Sequence, residues 1–128
     1  MRILETVLYA EDLAAAERFY TQTLGLEVVL FDVERGLFLK CDNGLLIIFK
    51  ASKTVQPGAV VPQHGTTGEG HMAFAATDEE LVAWDTRLRA AGVTMEPPVT
   101  WENGAKSIYF RDPAGNVLEF VTPRLWGL

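Results

Sequence analysis

Residues 109–120 read YFRDPAGNVLEF, and an earlier stretch, residues 38–49, reads FLKCDNGLLIIF. Each stretch has two strand-like halves separated by turn residues (Asp, Asn and Gly), a pattern typical of a β-hairpin. When Gly44 is aligned with Gly115, aromatic residues match at both ends and Lys40 matches Arg111. Two such hairpins in one chain indicate an internal repeat, and that repeat decides the fold.

The repeat extends to the N-terminal part of each half. Residues 3–10 and 70–76 are strand-like, and each stretch leads into an acidic turn where Asp12 or Asp78 is predicted to cap a helix. Apolar residues at three- and four-residue spacing follow, and each helix is expected to end near a glycine, Gly25 or Gly92. The order of strand, helix and three strands, occurring twice, predicts an α+β fold of two βαβββ modules.

The chain has the length of one domain. We assign residues 1–128 to a single domain, with module one at 1–54, a linker loop at 55–68 and module two at 69–128. The linker is rich in Pro, Gly, Gln and Thr. A loop of this length is either a plain connector or a functional, mobile segment.

Composition narrows the class of partner. The net charge is −6 and the basic residues are scattered, which argues against a nucleic-acid partner. No apolar run approaches the ~18 residues of a membrane helix, and the N-terminal residues do not resemble a secretory signal. The single cysteine, Cys41, fits a reducing compartment. We therefore expect a cytoplasmic protein with a small-molecule partner.

Three residues stand out as candidates for chemistry. Glu5 and His71 correspond under the repeat, and Glu119 lies in an otherwise apolar strand. By strand periodicity Glu119 shares a face with two valines, where a carboxylate is costly to bury unless it is paired or metal-bound. An imidazole and two carboxylates suit a divalent ion such as Mn²⁺, Fe²⁺, Ni²⁺, Zn²⁺ or Mg²⁺. The three residues form no compact motif, so a purely structural role remains the alternative.

The same segments resemble a known family. The opening residues 3–9 and the phrases at 17–26, 70–74 and 109–120 are similar to those of the vicinal-oxygen-chelate superfamily, which includes glyoxalases, bleomycin-resistance proteins and dioxygenases. The Arg-Asp-Pro-x-Gly-Asn-x-x-Glu phrase is the most recognisable part, and the similarity spans nearly the whole chain. The resemblance implies a cupped mixed sheet with helices outside, and a homodimer.

The resemblance also implies a ligand set for a divalent metal. In such proteins the first, fifth and last strands each supply a ligand, which places Glu5, His71 and Glu119 in those positions. Glu119 or Glu5 is then the candidate base. The first position holds Glu5 in place of the frequent His. This difference argues against iron-dependent ring cleavage as the activity. The fourth ligand of glyoxalase-like isomerases is missing, because the alignment of Gly44 with Gly115 matches Glu119 to Ile48. We therefore do not expect a standard four-ligand lactoylglutathione lyase.

Further residues are candidates for substrate contacts, each with a plainer alternative. His64 either covers the cavity or is simply exposed. Trp101 lies at a hairpin tip beside the cavity mouth, where packing in the core or at the rim is the alternative. Arg111 either recognises an anion or pairs with a neighbouring carboxylate. The complete set of candidate substrate-binding residues is His64, Trp101, Arg111, Tyr109 and Ile48.

These observations predict a metal-dependent enzyme that acts on a small oxygenated metabolite by isomerase, lyase or dioxygenase-type chemistry. The alternative from another class is a metal-free protein that sequesters a small molecule or antibiotic, as bleomycin-resistance proteins do. Thiol or water addition to an antibiotic is a third possibility.

Overall fold

The structure is a computed structural model that describes residues 1–128. The chain forms two compact units, Met1–Gly70 and His71–Leu128. No helix has the length and apolar character that a bilayer span requires. The boundary lies just after the predicted linker, whose residues belong to the first unit. Assignment of the whole chain to one domain stays a prediction.

The first unit contains one βαβββ module followed by a short helix. Its first helix is capped by Asp12, whose carboxylate accepts a hydrogen bond from the backbone N–H of Ala15 at 2.9 Å, as predicted. The chain leaves this helix through a π-helical turn and Gly25, which has a φ of 79°. The elements are β1 (Glu5–Tyr9), α1 (Leu13–Arg18), the π-helical turn (Phe19–Thr23), β2 (Glu27–Asp32), β3 (Gly36–Cys41), β4 (Gly44–Phe49) and α2 (Ala51–Thr54).

The strands of the first unit form a mixed sheet in the order β1-β4-β3-β2, with β1 and β4 parallel. Gly44 starts β4 where a side chain would not fit, since a Cβ there would lie 2.5 Å from the carbonyl oxygen of Leu4. One face of the sheet packs against α1 and forms a core of buried aliphatic side chains. These are Leu8, Leu37, Leu39, Leu46 and Ile48 from the sheet, with Leu13, Ala16 and Tyr20 from the helical segment.

The second unit repeats the same element order. Its helix begins with a capping box, in which the Thr77 hydroxyl accepts from the N–H of Glu80 and the Glu80 carboxylate accepts from the N–H of Thr77. The predicted N-cap, Asp78, was therefore wrong by one residue, because the Thr77 hydroxyl already occupies the capping position. The elements are β5 (His71–Ala75), α3 (Asp78–Ala90), β6 (Val99–Thr100), β7 (Lys106–Arg111), β8 (Val117–Val121) and a 3₁₀ turn (Pro123–Trp126).

The second sheet has the order β5-β8-β7-β6, with β5 and β8 parallel. Its helix-facing side is aromatic: the rings of Trp84 and Phe120 stack at 4.5 Å, and Phe74 and Phe110 flank Phe120. The opposite face carries Glu119 and its cross-strand neighbours Tyr109 and Ala73. Two βαβββ modules, each with a four-stranded mixed sheet, confirm the predicted fold class.

The turn between β7 and β8 is built by the Arg-Asp-Pro phrase itself. The buried carboxylate of Asp112 accepts hydrogen bonds from the backbone N–H groups of Ala114 and Asn116 and from the Asn116 amide. Gly115 has a φ of 87°, which glycine adopts without strain. Residues 112–116 of the phrase therefore build the hairpin turn, and Glu119 at its end lies in the strand that follows.

Candidate imidazole–carboxylate site

An imidazole and a carboxylate meet on the open face of the second sheet. His71 begins β5 and Glu119 lies in the middle of β8, and His71 Nε2 is 3.4 Å from Glu119 Oε2. The two side chains differ in exposure, at 55% for His71 and 7% for Glu119. The other carboxylate oxygen, Oε1, is buried and has no hydrogen-bond partner. A buried, unpartnered carboxylate oxygen costs about 1–3 kcal/mol, so this atom calls for an explanation.

The second ring nitrogen of His71 fixes which atoms carry protons. His71 Nδ1 lies 3.1 Å from the carbonyl oxygen of Val117. A carbonyl only accepts hydrogen bonds, so Nδ1 carries a proton, and Nε2 faces Glu119 either as a donor in the protonated ring or as a lone pair in the neutral ring. In the neutral ring two acceptors, Nε2 and Oε2, face each other. This arrangement is favourable only when a proton or another cation lies between them.

A row of polar side chains runs along the sheet from Glu119. The indole N–H of Trp101 donates to the Ser107 hydroxyl at 2.8 Å, and the side chain of Ser107 is completely buried. Tyr109 lies between Ser107 and Glu119. Burial raises the pKa of the Tyr109 phenol, and the nearby Glu119 carboxylate raises it further, whereas the Ser107 hydroxyl lowers it. Tyr109 is therefore held as a neutral phenol beside the carboxylate.

Two members of this row were predicted and one was missed. Tyr109 and Trp101 were candidate substrate contacts, and the structure brings them into one row with Glu119. Ser107 had no signal in the sequence, because a serine within a strand is ordinarily an exposed neutral position. Only the register of β6 and β7 shows that Ser107 lies beneath the Trp101 indole.

Glu5 belongs to the other unit. It is exposed at the start of β1, paired with Leu45 of β4. No group of three or more His, Cys, Asp or Glu side chains suited to a metal occurs in the described structure. A third ligand from Glu5 therefore stays a prediction.

Strand pairing corrects the predicted counterpart of Glu119. Tyr109 pairs with Glu119 in the second sheet, and the matching residue Phe38 pairs with Ile47 in the first. Glu119 thus corresponds to Ile47, because the second hairpin turn is one residue longer than the first. Ile48 belongs to the opposite, helix-covered face and is fully buried, and a substrate contact at Ile48 stays a prediction. Ile47, which occupies the position of a fourth metal ligand, is aliphatic like Ile48 and cannot bind a metal.

The remaining candidates have defined surroundings. Arg111 donates to the Gly115 carbonyl at 2.9 Å, and its Nε lies 3.7 Å from a carboxylate oxygen of Glu96. His64 is half-buried in the first unit, where its Nδ1 is 2.7 Å from the Tyr9 hydroxyl. Sequence reasoning did not connect Tyr9 with His64, because the two residues are far apart along the chain.

The donor set of the second unit suits a divalent metal. A histidine that binds a metal through one nitrogen usually donates its other N–H to a carbonyl or carboxylate, as His71 does to Val117. Glu119 adds a carboxylate whose Oε2 lies 3.4 Å from His71 Nε2 and whose Oε1 has no hydrogen-bond partner. The two residues are therefore of the types that bind divalent metals and supply part of a ligand set.

Fold and site together define a two-module βαβββ protein whose second module presents an imidazole and a carboxylate on its open face. The chain belongs to the Glyoxalase/Bleomycin resistance protein/Dioxygenase superfamily, whose sequence profile matches residues 2–120. This confirms the family resemblance found in the sequence.

Individual relatives carry names from several reaction classes. A crystal structure described as lactoylglutathione lyase from Agrobacterium tumefaciens is 41% identical with a TM-score of 0.96, and the match covers 99% of this chain and 97% of that one. Biphenyl-2,3-diol 1,2-dioxygenase 3 of Rhodococcus globerulus is 31% identical over 95% of this chain but only 66% of its own length. A metallothiol transferase of Shouchella clausii is 44% identical over 43% of this chain and 39% of its own length. The chain thus spans less than two thirds of these last two relatives.

Proposed function

We propose that this protein is a metal-dependent enzyme that acts on a small molecule with two neighbouring oxygen atoms. The observation that carries the proposal is the carboxylate of Glu119, whose Oε2 lies 3.4 Å from His71 Nε2 and whose buried Oε1 has no hydrogen-bond partner. His71 and Glu119 would hold the cation, with Glu5 of the first unit as the third ligand. When bound, a divalent cation supplies Lewis-acid stabilisation of negative charge on substrate oxygens.

The chain's own residues account for proton transfer. Glu119 is buried, and its Oε1 has no hydrogen-bond partner. This oxygen can therefore accept a proton from a substrate carbon or hydroxyl within hydrogen-bond reach. The carbonyl of Val117 holds the His71 ring so that Nε2 stays oriented toward the carboxylate. Tyr109 remains a neutral hydrogen-bond donor, because burial and Glu119 both raise its pKa. Glu5, which is exposed, is the alternative base.

The proposal covers three reaction types: isomerase, lyase and dioxygenase-type chemistry. The relatives are named for a lyase, a dioxygenase and a thiol transferase, and one fold can host each of these. The aliphatic Ile47 at the position that matches Glu119 argues against a standard four-ligand lactoylglutathione lyase. We further infer from the family a homodimer that works in the cytoplasm.

A thermal-shift experiment tests the metal site. Protein stripped with a chelator is titrated with Mn²⁺, Fe²⁺, Ni²⁺, Zn²⁺ or Mg²⁺, and at least one ion should raise the Tm by about 5 °C at saturation. Glu119→Gln and His71→Gln should each lose most of that rise. Glu79→Gln, which changes an exposed carboxylate on α3, is the matched control and should keep it. A rise that survives in Glu119→Gln, or none with any ion in the wild type, contradicts the proposal.

A ligand experiment then tests the role of the cation. Butane-2,3-dione, a vicinal diketone, should bind metal-loaded protein more tightly than stripped protein. Equal binding to both would remove the cation from substrate recognition.

The second candidate function is a metal-free protein that sequesters a small molecule. It is favoured by the aliphatic Ile47 and by the absence of any group of three ligating side chains. A diketone or antibiotic bound without turnover, together with no response to ions, would support it.

A further inference from the structure

The first unit contains a cavity that is lined by its own residues only. It has a volume of about 300 Å³, at the lower end of the range for ligand pockets and large enough for a single-ring compound. Strands β2, β3 and β4, helix α2 and the following loop all contribute to its lining. The lining residues with the clearest chemistry are Asp32, Arg35, Phe38, Phe49, Lys53 and His64.

One wall of this cavity is aromatic. The rings of Phe38 and Phe49 meet edge to face at 5.5 Å, and Phe49 contacts the His64 ring at 5.0 Å. Gly36 makes this packing possible, because a Cβ there would lie 2.9 Å from the Phe49 ring. Such a wall suits a flat aromatic ring, which prefers edge-to-face or offset contacts.

His64 presents a hydrogen-bonding edge in the same cavity. Its Nδ1 is engaged by the Tyr9 hydroxyl at 2.7 Å, and its backbone N–H is bonded to the Thr54 carbonyl. No protein group bonds its Nε2. The ring is therefore held in place from one side and has one nitrogen left for a ligand.

The polar rim of the cavity has a positive balance. Lys53 and Lys50 share the carboxylate of Glu34, at 3.5 and 3.6 Å respectively. The Arg35 guanidinium has no ion pair or hydrogen bond, although its backbone is fixed by bonds to Asp32 and Lys50. Asp32 is the one acidic lining residue. Arg35 is thus the cation best placed to receive a ligand carboxylate, since a guanidinium matches a carboxylate in a fork geometry.

We propose that this cavity binds a small planar aromatic carboxylate, with the ring against Phe38 and Phe49 and the carboxylate at Arg35. His64 Nε2 contacts the ligand from the side. This site goes beyond the proposed function, because none of its residues belongs to the imidazole–carboxylate pair and binding requires no metal.

Three isosteric probes test the proposal by charge alone. Benzoate, benzamide and benzamidine share one shape and carry negative, zero and positive charge. In wild-type protein, NMR titration should show benzoate binding with a dissociation constant of about 1 mM, with shifts at Arg35, Thr54 and His64. Benzamide should bind more weakly and benzamidine should not bind. Benzamidine binding as tightly as benzoate would overturn the proposal, because Asp32 would then be the residue that selects the ligand.

Variants locate the site. Arg35→Gln should weaken benzoate about tenfold, and Gly36→Ala should weaken it by pushing the Phe49 ring into the cavity. Arg18→Gln, at the end of α1, is the matched control and should bind like the wild type. Unchanged binding in Arg35→Gln, or shifts confined to the second unit, would overturn the assignment.

The metal site and the aromatic carboxylate site can be disproved independently of each other. Benzoate should bind Glu119→Gln and chelator-stripped protein as it binds the wild type. Binding that appears only in metal-loaded protein would place the carboxylate on the metal and remove the site proposed here.

Discussion

The two units share one backbone plan and differ in the side chains at equivalent positions. In the first unit Glu5, Phe38 and Ile47 occupy the places that His71, Tyr109 and Glu119 occupy in the second. The first unit therefore has a buried aliphatic side chain at the position of the carboxylate, and an aromatic cavity lined by Phe38 and Phe49. The second has a carboxylate at that position and a row of hydrogen-bonding groups. The repeat supplies equivalent positions, and the side chains at those positions give the two halves different chemistry.

Placing a carboxylate in the first unit, where the second unit has Glu119, should change the free energy of unfolding more than any other exchange. Ile47 is 2% exposed, so Ile47→Glu buries a carboxylate among apolar neighbours with no imidazole beside it. We expect a loss of about 3–5 kcal/mol in the free energy of unfolding, measured by urea denaturation. Val29→Glu, on the exposed part of β2, is the control and should cost less than about 0.5 kcal/mol. Equal stability of the two variants would show that the first sheet tolerates charge.

The reverse exchange, Glu119→Ile, should have a smaller effect of opposite sign. It removes a buried carboxylate oxygen that has no partner, so metal-free protein should gain about 1 kcal/mol in stability. The ion-dependent rise in Tm should disappear in the same variant. Chemical denaturation of chelator-treated protein measures the first effect, and thermal shift measures the second. A loss of more than about 2 kcal/mol would mean that Glu119 is needed for folding.

The link between Tyr109 and Glu119 can be measured by titration of the phenol. The pKa of Tyr109 lies above its ordinary value, mainly through burial and also through the Glu119 carboxylate. In Glu119→Gln the pKa of Tyr109 should fall but remain raised. The measurement is phenolate absorbance against pH, with Tyr109→Phe in each background used to isolate this tyrosine. An unchanged titration would show that the two side chains do not interact.

The smallest predicted change in stability concerns the acidic turns that precede the two helices. Asp12 caps α1, whereas Asp78 binds Arg124, with carboxylate–guanidinium distances of 2.6 and 2.9 Å. The hydrogen bond from Arg124 holds the pKa of Asp78 below its ordinary value of 3.8. The stabilisation is therefore present at neutral pH and is lost as the pH falls through that lowered pKa.

Asp78→Asn should accordingly lower the Tm at pH 7 by about 1–2 °C, because exposed ion pairs contribute little. At a pH that protonates Asp78 in both the folded and unfolded states, variant and wild type should melt together. Glu79→Gln serves as the neighbouring control without an arginine partner. A difference in Tm that persists in acid would assign the effect to the helix and not to the ion pair.

Local signals explain what the sequence could predict. The order of elements, the Asp12 cap and the glycine ends at Gly25 and Gly92 follow from hydrogen bonding and backbone geometry over a few residues. The pairing of His71 with Glu119 also followed from family resemblance, because each residue stands at a recognisable strand position. These features depend on short segments that behave alike in many chains.

Longer-range features were beyond the sequence. An alignment on Gly44 and Gly115 missed a single extra turn residue, and one residue is enough to move a side chain to the other face of a strand. Ile48 was therefore matched where Ile47 belongs. Ser107 and the Tyr9–His64 contact depend on strand register and on the path of a loop, which local propensity does not encode.

The Asp112–Asn116 turn has a consequence for how such proteins are found and counted. Its carboxylate is fully occupied with backbone N–H groups and the Asn116 amide, so the turn closes the hairpin regardless of what stands at position 119. A chain recognised by the turn residues 112–116 alone is therefore recognised by its hairpin, and its chemistry has to be read at position 119.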